Sequence, residues 1–248
     1  FKDVESIKKE FKEWMKKTDY FVWRPGLPNY AGHLQGMPDV AFRLLFENIR
    51  FVAEQGAEGL FVDTHWDHWS TQGPQYYLLS RLLWDPCQDF EAIMSDFYRR
   101  AYGPAQGTMR QYWELMETTR AELIQTYPDR NSYLLMHTIY DEPWVERARG
   151  YLTQALKQVK GQQKYEDRIR FNLFGLDMVD RMLQLRRLRH RFELGKGTEA
   201  DKRKIDALWA EIKQQQAVSP PDAFNYIYVL KDPKQGRMHV LHYNYGLN

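Results

Sequence analysis

From residue 74 onward the sequence supplies one helix-boundary signal after another, and this limits the possible folds more than any other feature. Asp89 and Asp141 stand as N-caps ahead of apolar-periodic runs. Gly103-Pro104 reads as a stop followed by a start, and Thr198-Glu199-Ala200-Asp201 resembles a capping box. Helices are predicted over 74–84, 89–102, 104–127, 141–159, 165–193 and 198–217. Adding 4–17, where Val4, Ile7, Phe11 and Trp14 repeat at helical spacing, and 38–55, closed by Gly56, brings the expected helix content to roughly 55–60%, well above the usual ~30–35%. Strand character is confined to 20–23, 59–63, 226–230 and 238–243. The 248 residues would accommodate a (β/α)8 barrel, but four short strands cannot close one.

The order strand (20–23), long loop, helix (38–55), short loop, strand (59–63) predicts a βαβ crossover with two parallel strands. Two strands alone leave an open parallel edge, so pairing with a second copy, a homodimer, is expected there. The expected division is an α/β part over 1–72, a helical region over 73–218 and a C-terminal extended or hairpin segment over 219–248.

The single cysteine, Cys87, rules out an internal disulfide and any Cys-based zinc cage. No apolar run reaches the ~18 residues of a membrane span, and 1–17 lacks a signal-peptide h-region, so no membrane partner is expected. The chain does not start with Met, and it reads as processed or cut from something longer. The net charge of +2 hides a segregation: 1–17 carries +2, 18–156 contains no lysine and carries −7, and 157–248 carries +7. The simplest consequence is attraction between parts of one molecule. The run Leu185-Arg186-Arg187-Leu188-Arg189-His190-Arg191 places Met178, Leu185, Leu188 and Phe192 on one arc, with Arg186, Arg187 and Arg191 mostly outside it. It therefore predicts a solvated helix face that could dock on acidic segments, and no nucleic acid is expected. There is no Gly-rich phosphate loop, no GxSxG and no Cys–His nucleophile pattern, so no cofactor is expected. The lone His33, His137, His239 and His242 read as surface or packing residues.

The densest group of chemically capable residues is Asp63-Thr64-His65-Trp66-Asp67-His68-Trp69, at the end of a strand, with Trp23 and Arg24 at the end of the preceding one. In parallel α/β architectures ligands bind at the carboxyl ends of strands. Flat indoles stack on sugar C–H faces while carboxylate, imidazole and guanidinium groups bond hydroxyls, so Trp23, Arg24, Asp63, His65, Trp66 and Trp69 are the candidate carbohydrate-binding residues. The other five tryptophans fall in helices and are expected to pack. Two alternatives stand beside this: packing of a rim, and a metal site using Asp63, His65, Asp67 and His68, which lacks helical HExxH spacing. Glycosidases need two opposed carboxyl groups. Asp63 and Asp67 sit too close in one segment to establish that geometry, and Glu47, Glu54 and Glu58 read as solvated, so the catalytic residues are unknown.

At Gln72-Gly73-Pro74-Gln75-Tyr76-Tyr77, Arg81-Leu82-Leu83-Trp84-Asp85-Pro86, Asp96-Phe97-Tyr98 and Ala101-Tyr102-Gly103-Pro104-Ala105, with Tyr112 following, the text resembles an uncharacterised bacterial family whose members look like glycoside hydrolases. Its barrel is similar to those of α-glucuronidases and β-N-acetylhexosaminidases and is followed by helices. The resemblance covers roughly residues 14 to 115. It implies a mainly α chain with minor β: the last βα units of a (β/α)8-type barrel, a helical region and a short C-terminal hairpin. It further implies an extracytoplasmic or secreted protein, with catalytic carboxylates on earlier strands outside this chain. Whether the chain is itself an enzyme is left open. The leading expectation is the C-terminal portion of a carbohydrate-active, glycoside-hydrolase-like protein. The competing ones are a non-catalytic helical interaction or scaffold module and a metal-dependent hydrolase.

Overall fold

The structure is a computed structural model that describes residues 4–18, 20–23, 36–61, 68–128, 132–221 and 223. Of the described residues, 77% are helical and 2% are in strands, so the chain is mainly α. The elements are α1 (Val4–Met15), β1 (Val22–Trp23), α2 (Phe42–Glu54), β2 (Gly59–Leu60), α3 (Trp69–Trp84), α4 (Phe90–Tyr102), α5 (Gln106–Thr126), α6 (Ser132–Leu135), α7 (Glu142–Gln158), α8 (Gln163–Glu193) and α9 (Glu199–Ala217). Short 3-10 turns over Gly103–Ala105 and Met136–Thr138 join α4 to α5 and follow α6. The strands expected at 226–230 and 238–243 lie outside the described residues.

The expected crossover is present in miniature. β1 and β2 pair in parallel, Val22 opposite Gly59 and Trp23 opposite Leu60, and the ladder is extended by Glu58 N–H to Phe21 C=O and Phe61 N–H to Trp23 C=O. Between them α2 buries Phe42, Leu45, Phe46, Ile49 and Val52 on one face. It ends in a Schellman arrangement: the Gly56 amide bonds Ala53 C=O, the Ala57 amide bonds Val52 C=O, and Gly56 takes the positive φ of +89° that this cap requires. α1 seats Phe11 against Phe21 of the sheet edge and Phe51 of α2, with ring centroids 4.9 and 5.8 Å apart.

α2 starts four residues later than expected, because Asp39 does not cap it. Asp39 is buried, and its Oδ1 accepts from Arg120 Nε of α5 at 2.8 Å. The N-terminus of α2 is served from another helix instead, Glu117 Oε1 of α5 accepting the Arg43 amide at 3.0 Å. Residues 36–40 form a buried connection, which would strand backbone polar groups. Two glutamines of α3 satisfy several of them: Gln72 donates to Met37 C=O, Gln75 donates to Asp39 C=O and accepts from the Ala41 amide at 2.7 Å.

α3 itself begins at Trp69, not Pro74. A proline at the sixth position removes the amide that would bond Ser70 C=O. Asn172 Nδ2 of α8 takes its place, donating to that carbonyl at 3.0 Å. The amide's Oδ1 accepts from Tyr102 OH at 2.9 Å, and Tyr102 OH accepts from Trp113 Nε1 at 3.1 Å. A buried chain of hydrogen bonds thus ties α5, α4, α8 and α3 together. The division expected between residues 72 and 73 falls inside α3, whose two ends serve both sides of it.

The core of the helical body is built on Trp113, Trp144, Tyr112 and Tyr140, none more than 1% exposed. Asp89 and Asp141 cap α4 and α7 as expected, accepting from the Ala92 and Trp144 amides. Thr198 and Asp201 form the reciprocal capping box of α9. α8, 31 residues long, packs against α3, α4, α7 and α9. This corrects the reading of its basic run as a solvated face: Arg186 is buried, at 1% exposure, because neighbours surround α8 on several sides and leave no continuous outer face. Arg191 does reach solvent, paired with Asp201 Oδ2 at 3.3 Å.

Candidate functional site

α3, α4 and α8 enclose a cleft of about 380 Å³. Its α3 wall is set by local sequence. Gly73 and Pro74 leave the helix surface nearly bare, flanked by Trp69 one turn before and Tyr77 one turn after, and a Cβ at Gly73 would lie 4.0 Å from the Trp69 ring. Trp69 is 42% exposed, and its indole is held edge-on to Tyr76, with centroids 4.7 Å apart. Phe97 of α4 and Phe171 of α8 line the opposite side, and Asn172 lies at the base. The relay from Trp113 through Tyr102 to Asn172 fixes that base. Burial pushes the Tyr102 phenol well above its ordinary range, so it acts as a neutral hydroxyl that both donates and accepts.

Two guanidinium groups stand at the rim. Arg168 Nη1 donates to the Arg100 carbonyl at 2.6 Å and to the Ala101 carbonyl at 3.3 Å, closing the C-terminal turn of α4. Arg100 Nε grips Asp96 at 2.8 Å from both carboxylate oxygens. Asp96 also accepts from Tyr77 OH at 2.8 Å. Arg100, then the Tyr77 hydroxyl, hold the Asp96 carboxyl down to about 2, so Asp96 is a fixed anion that orients Arg100 and Tyr77. No carboxylate lines the cleft among the described residues. The arrangement can stack a flat ligand and donate hydrogen bonds to it, and it contains no opposed acid and base.

Of the residues expected to meet a sugar, Trp69 is on this cleft. It is the first residue of α3 and not part of a strand-end loop. Trp23 is half-buried against the core and does not line the cleft. Arg24, Asp63, His65 and Trp66 lie outside the described residues, as does Asp67. His68 is buried at 1% exposure, and its carbonyl accepts the Gln72 amide at the start of α3. Burial pulls its imidazole down to about 3. Among the described residues no group of three or more His, Cys, Asp or Glu side chains could hold a metal ion, and no helix is long and apolar enough to cross a membrane. The expectation that the helical tryptophans pack holds for Trp113 and Trp144 and fails for Trp14 and Trp84, which are 65% and 90% exposed.

The α8 contribution to the cleft, Arg168, Phe171 and Asn172, was not singled out from the sequence. Asn172 sits within a helix of mixed pattern, and the only local hint of its role is Pro74, about a hundred residues earlier, which leaves one carbonyl in need of a donor.

Residues 2–114 match the family model described as a domain of unknown function, DUF4838. That stretch contains the sheet, α1 to α4 and the first part of α5, and so two of the three walls of the cleft. No curated protein and no solved structure matches the chain.

Proposed function

We propose that the chain is the C-terminal portion of a glycoside-hydrolase-like, carbohydrate-active protein, in which it contributes glycan contacts and helical support while catalytic carboxylates come from outside it. The observation that carries this reading is Trp69: its indole is open to solvent at the mouth of an aromatic cleft that carries donors and, among the described residues, no acid–base pair. A sugar ring of pyranose size stacks on such a face, with Arg100, Arg168 and Asn172 in place to bond hydroxyl or ring oxygens. Arg24, Asp63, His65 and Trp66 would extend the contact, and the last βα units of a barrel would be built around β1 and β2. An extracytoplasmic location goes with the same proposal.

The test is binding of the whole chain to soluble oligosaccharides by calorimetry, with Trp69→Ala alongside. Loss of one stacking platform is expected to weaken binding by roughly tenfold, equivalent to about 1.4 kcal/mol. Undiminished binding by Trp69→Ala, or no binding to any glycan, overturns the proposal. A second reading, a helical interaction module, draws on Leu83 and Trp84, adjacent exposed apolar residues at the end of α3. Retention of partner capture by Trp69→Ala and its loss in Trp84→Ala would favour that reading.

A further inference from the structure

Seven residues of α8, from Arg186 to Phe192, contain four arginines and a histidine, and the fold turns several of them inward. Arg186 is 1% exposed, and its Nη2 donates to both carboxylate oxygens of Glu193. Among the described residues its buried Nε finds no hydrogen-bond partner, nor do the buried Arg187 Nη1 and Nε and Nη1 of Arg189. Folded proteins seldom leave buried donors unpaired, and unpaired cationic donors are the costliest kind.

Among the described residues, few carboxylates lie close to this cluster. Glu193 is shared between Arg186 and His190, whose Nδ1 lies 3.1 Å from Glu193 Oε2. A second acid, Glu142 of α7, is 3.8 Å from Arg187 Nε and 77% exposed, and Asp201 pairs with Arg191 farther along the helix. Arg189 lies over the aromatic face of Trp209 of α9, 5.9 Å from the ring centroid. His137, on the 3-10 turn, meets the His190 ring in a tilted contact with centroids 4.8 Å apart. Burial first, then His190, Arg186 and Arg187, pull the His137 imidazole down to about 4, as expected where positive charge is crowded. On a helix Arg186, His190 and Arg187 fall within one arc of about 100°, and that arc faces His137. Arg187 and His190 keep 23% and 27% of their side-chain surface, which leaves an approach from solvent along the edge of α8.

We propose that Arg186, Arg187 and His190 of α8, with His137 opposite and Arg189 flanking, form a binding site for a small oxyanion group, a phosphate or a carboxylate. Guanidinium groups are suited to either, since their planar donors match the spacing of anion oxygens. The site lies apart from the Trp69 cleft, and none of the cleft's residues belongs to it. It does not depend on the carbohydrate reading.

The experiment is thermal unfolding of the whole chain in inorganic phosphate and in acetate, each against sodium chloride of matched ionic strength, followed by titration calorimetry with phosphate and with acetate. A ligand that binds only the folded state raises the midpoint in proportion to the logarithm of its concentration, and non-specific screening is common to all three salts. An anion-specific rise is expected. Because excluded phosphate raises midpoints without any site, the ligand is assigned by calorimetric affinity: phosphate tighter than acetate identifies a phosphoryl group, and the reverse identifies a carboxylate. Arg187→Gln, at a partly exposed position, is expected to weaken binding by roughly tenfold. Glu142→Gln, which removes a competing exposed carboxylate, is expected to tighten it about twofold. Identical midpoints in the three salts, or an unchanged phosphate affinity in both variants, overturn the proposal. Should Arg187→Gln not fold, the salt comparison and Glu142→Gln decide it alone.

Discussion

Asn172 shows how much one side chain does in this protein. Its amide donates to the Ser70 carbonyl that Pro74 leaves without a helical partner, and its oxygen accepts the Tyr102 hydroxyl. Replacing it with Ala strands both groups in a buried setting. Each unsatisfied buried group costs about 1–3 kcal/mol, so Asn172→Ala is expected to lower stability by about 2–6 kcal/mol, read as a shift of the urea midpoint with an unchanged slope. A loss under about 1 kcal/mol would mean that neither hydrogen bond matters. The Asp39–Arg120 pair follows similar logic at longer range. Both side chains are buried, so removing one partner is more damaging than removing both.

At the scale of elements, the crossing of α3 on α8 is set by Gly175. A Cβ there would come within 2.4 Å of Ser70 Oγ and 2.7 Å of Ser70 Cβ, and Ser70 is itself held by the Ala223 carbonyl. Ala is the better helix former by about 1 kcal/mol. Even so, Gly175→Ala is expected to destabilise by about 1–3 kcal/mol through overpacking, and to loosen the cleft by displacing α3 from α8. Thermal denaturation checks the sign, since a stabilised Gly175→Ala variant would show that the helices separate freely. This contact also explains why the beginning of α3 was not legible in sequence. Ser70, Thr71, Gln72 and Gln75 are polar yet buried, and Gly73-Pro74 looks like a boundary. Gln72 and Gln75 serve the 36–41 connection, Ser70 bonds the Ala223 carbonyl and the glycine lies on the cleft, none of which leaves a trace in apolar periodicity.

For the molecule as a whole, protonation links distant parts of the fold to one stability. His68 and His137 are held down to about 3 and about 4, burial being the largest cause for each. Both are neutral in the folded protein while the unfolded chain protonates them near 6.5, so between about pH 6.5 and about pH 4 the unfolded state binds more protons. Stability is then expected to be full above pH 6.5 and to fall below it, by about 1.4 kcal/mol per pH unit for each histidine. Urea midpoints at about pH 7.5 and about pH 5 test this, and His137→Gln should reduce the slope. A midpoint that stays level over that interval would refute it. The charge segregation along the chain has less structural consequence. Arg187 with Glu142 joins the basic stretch to the acidic one at 3.8 Å, but Arg149 pairs in the opposite sense with Asp177 at 2.7 Å.

The sequence by itself determined the helical character of the chain, the N-caps at Asp89, Asp141 and Thr198, the C-terminal glycine at Gly56 and the parallel pairing of two short strands. Each of these is encoded within a few residues, where backbone geometry and capping chemistry act. Only the tertiary structure decided which polar residues are buried, that Trp69 opens on a cleft while Trp23 packs, and that Arg186 of α8 turns inward. Those outcomes depend on what faces a residue from tens to a hundred positions away, and periodicity along one helix carries no record of its neighbours.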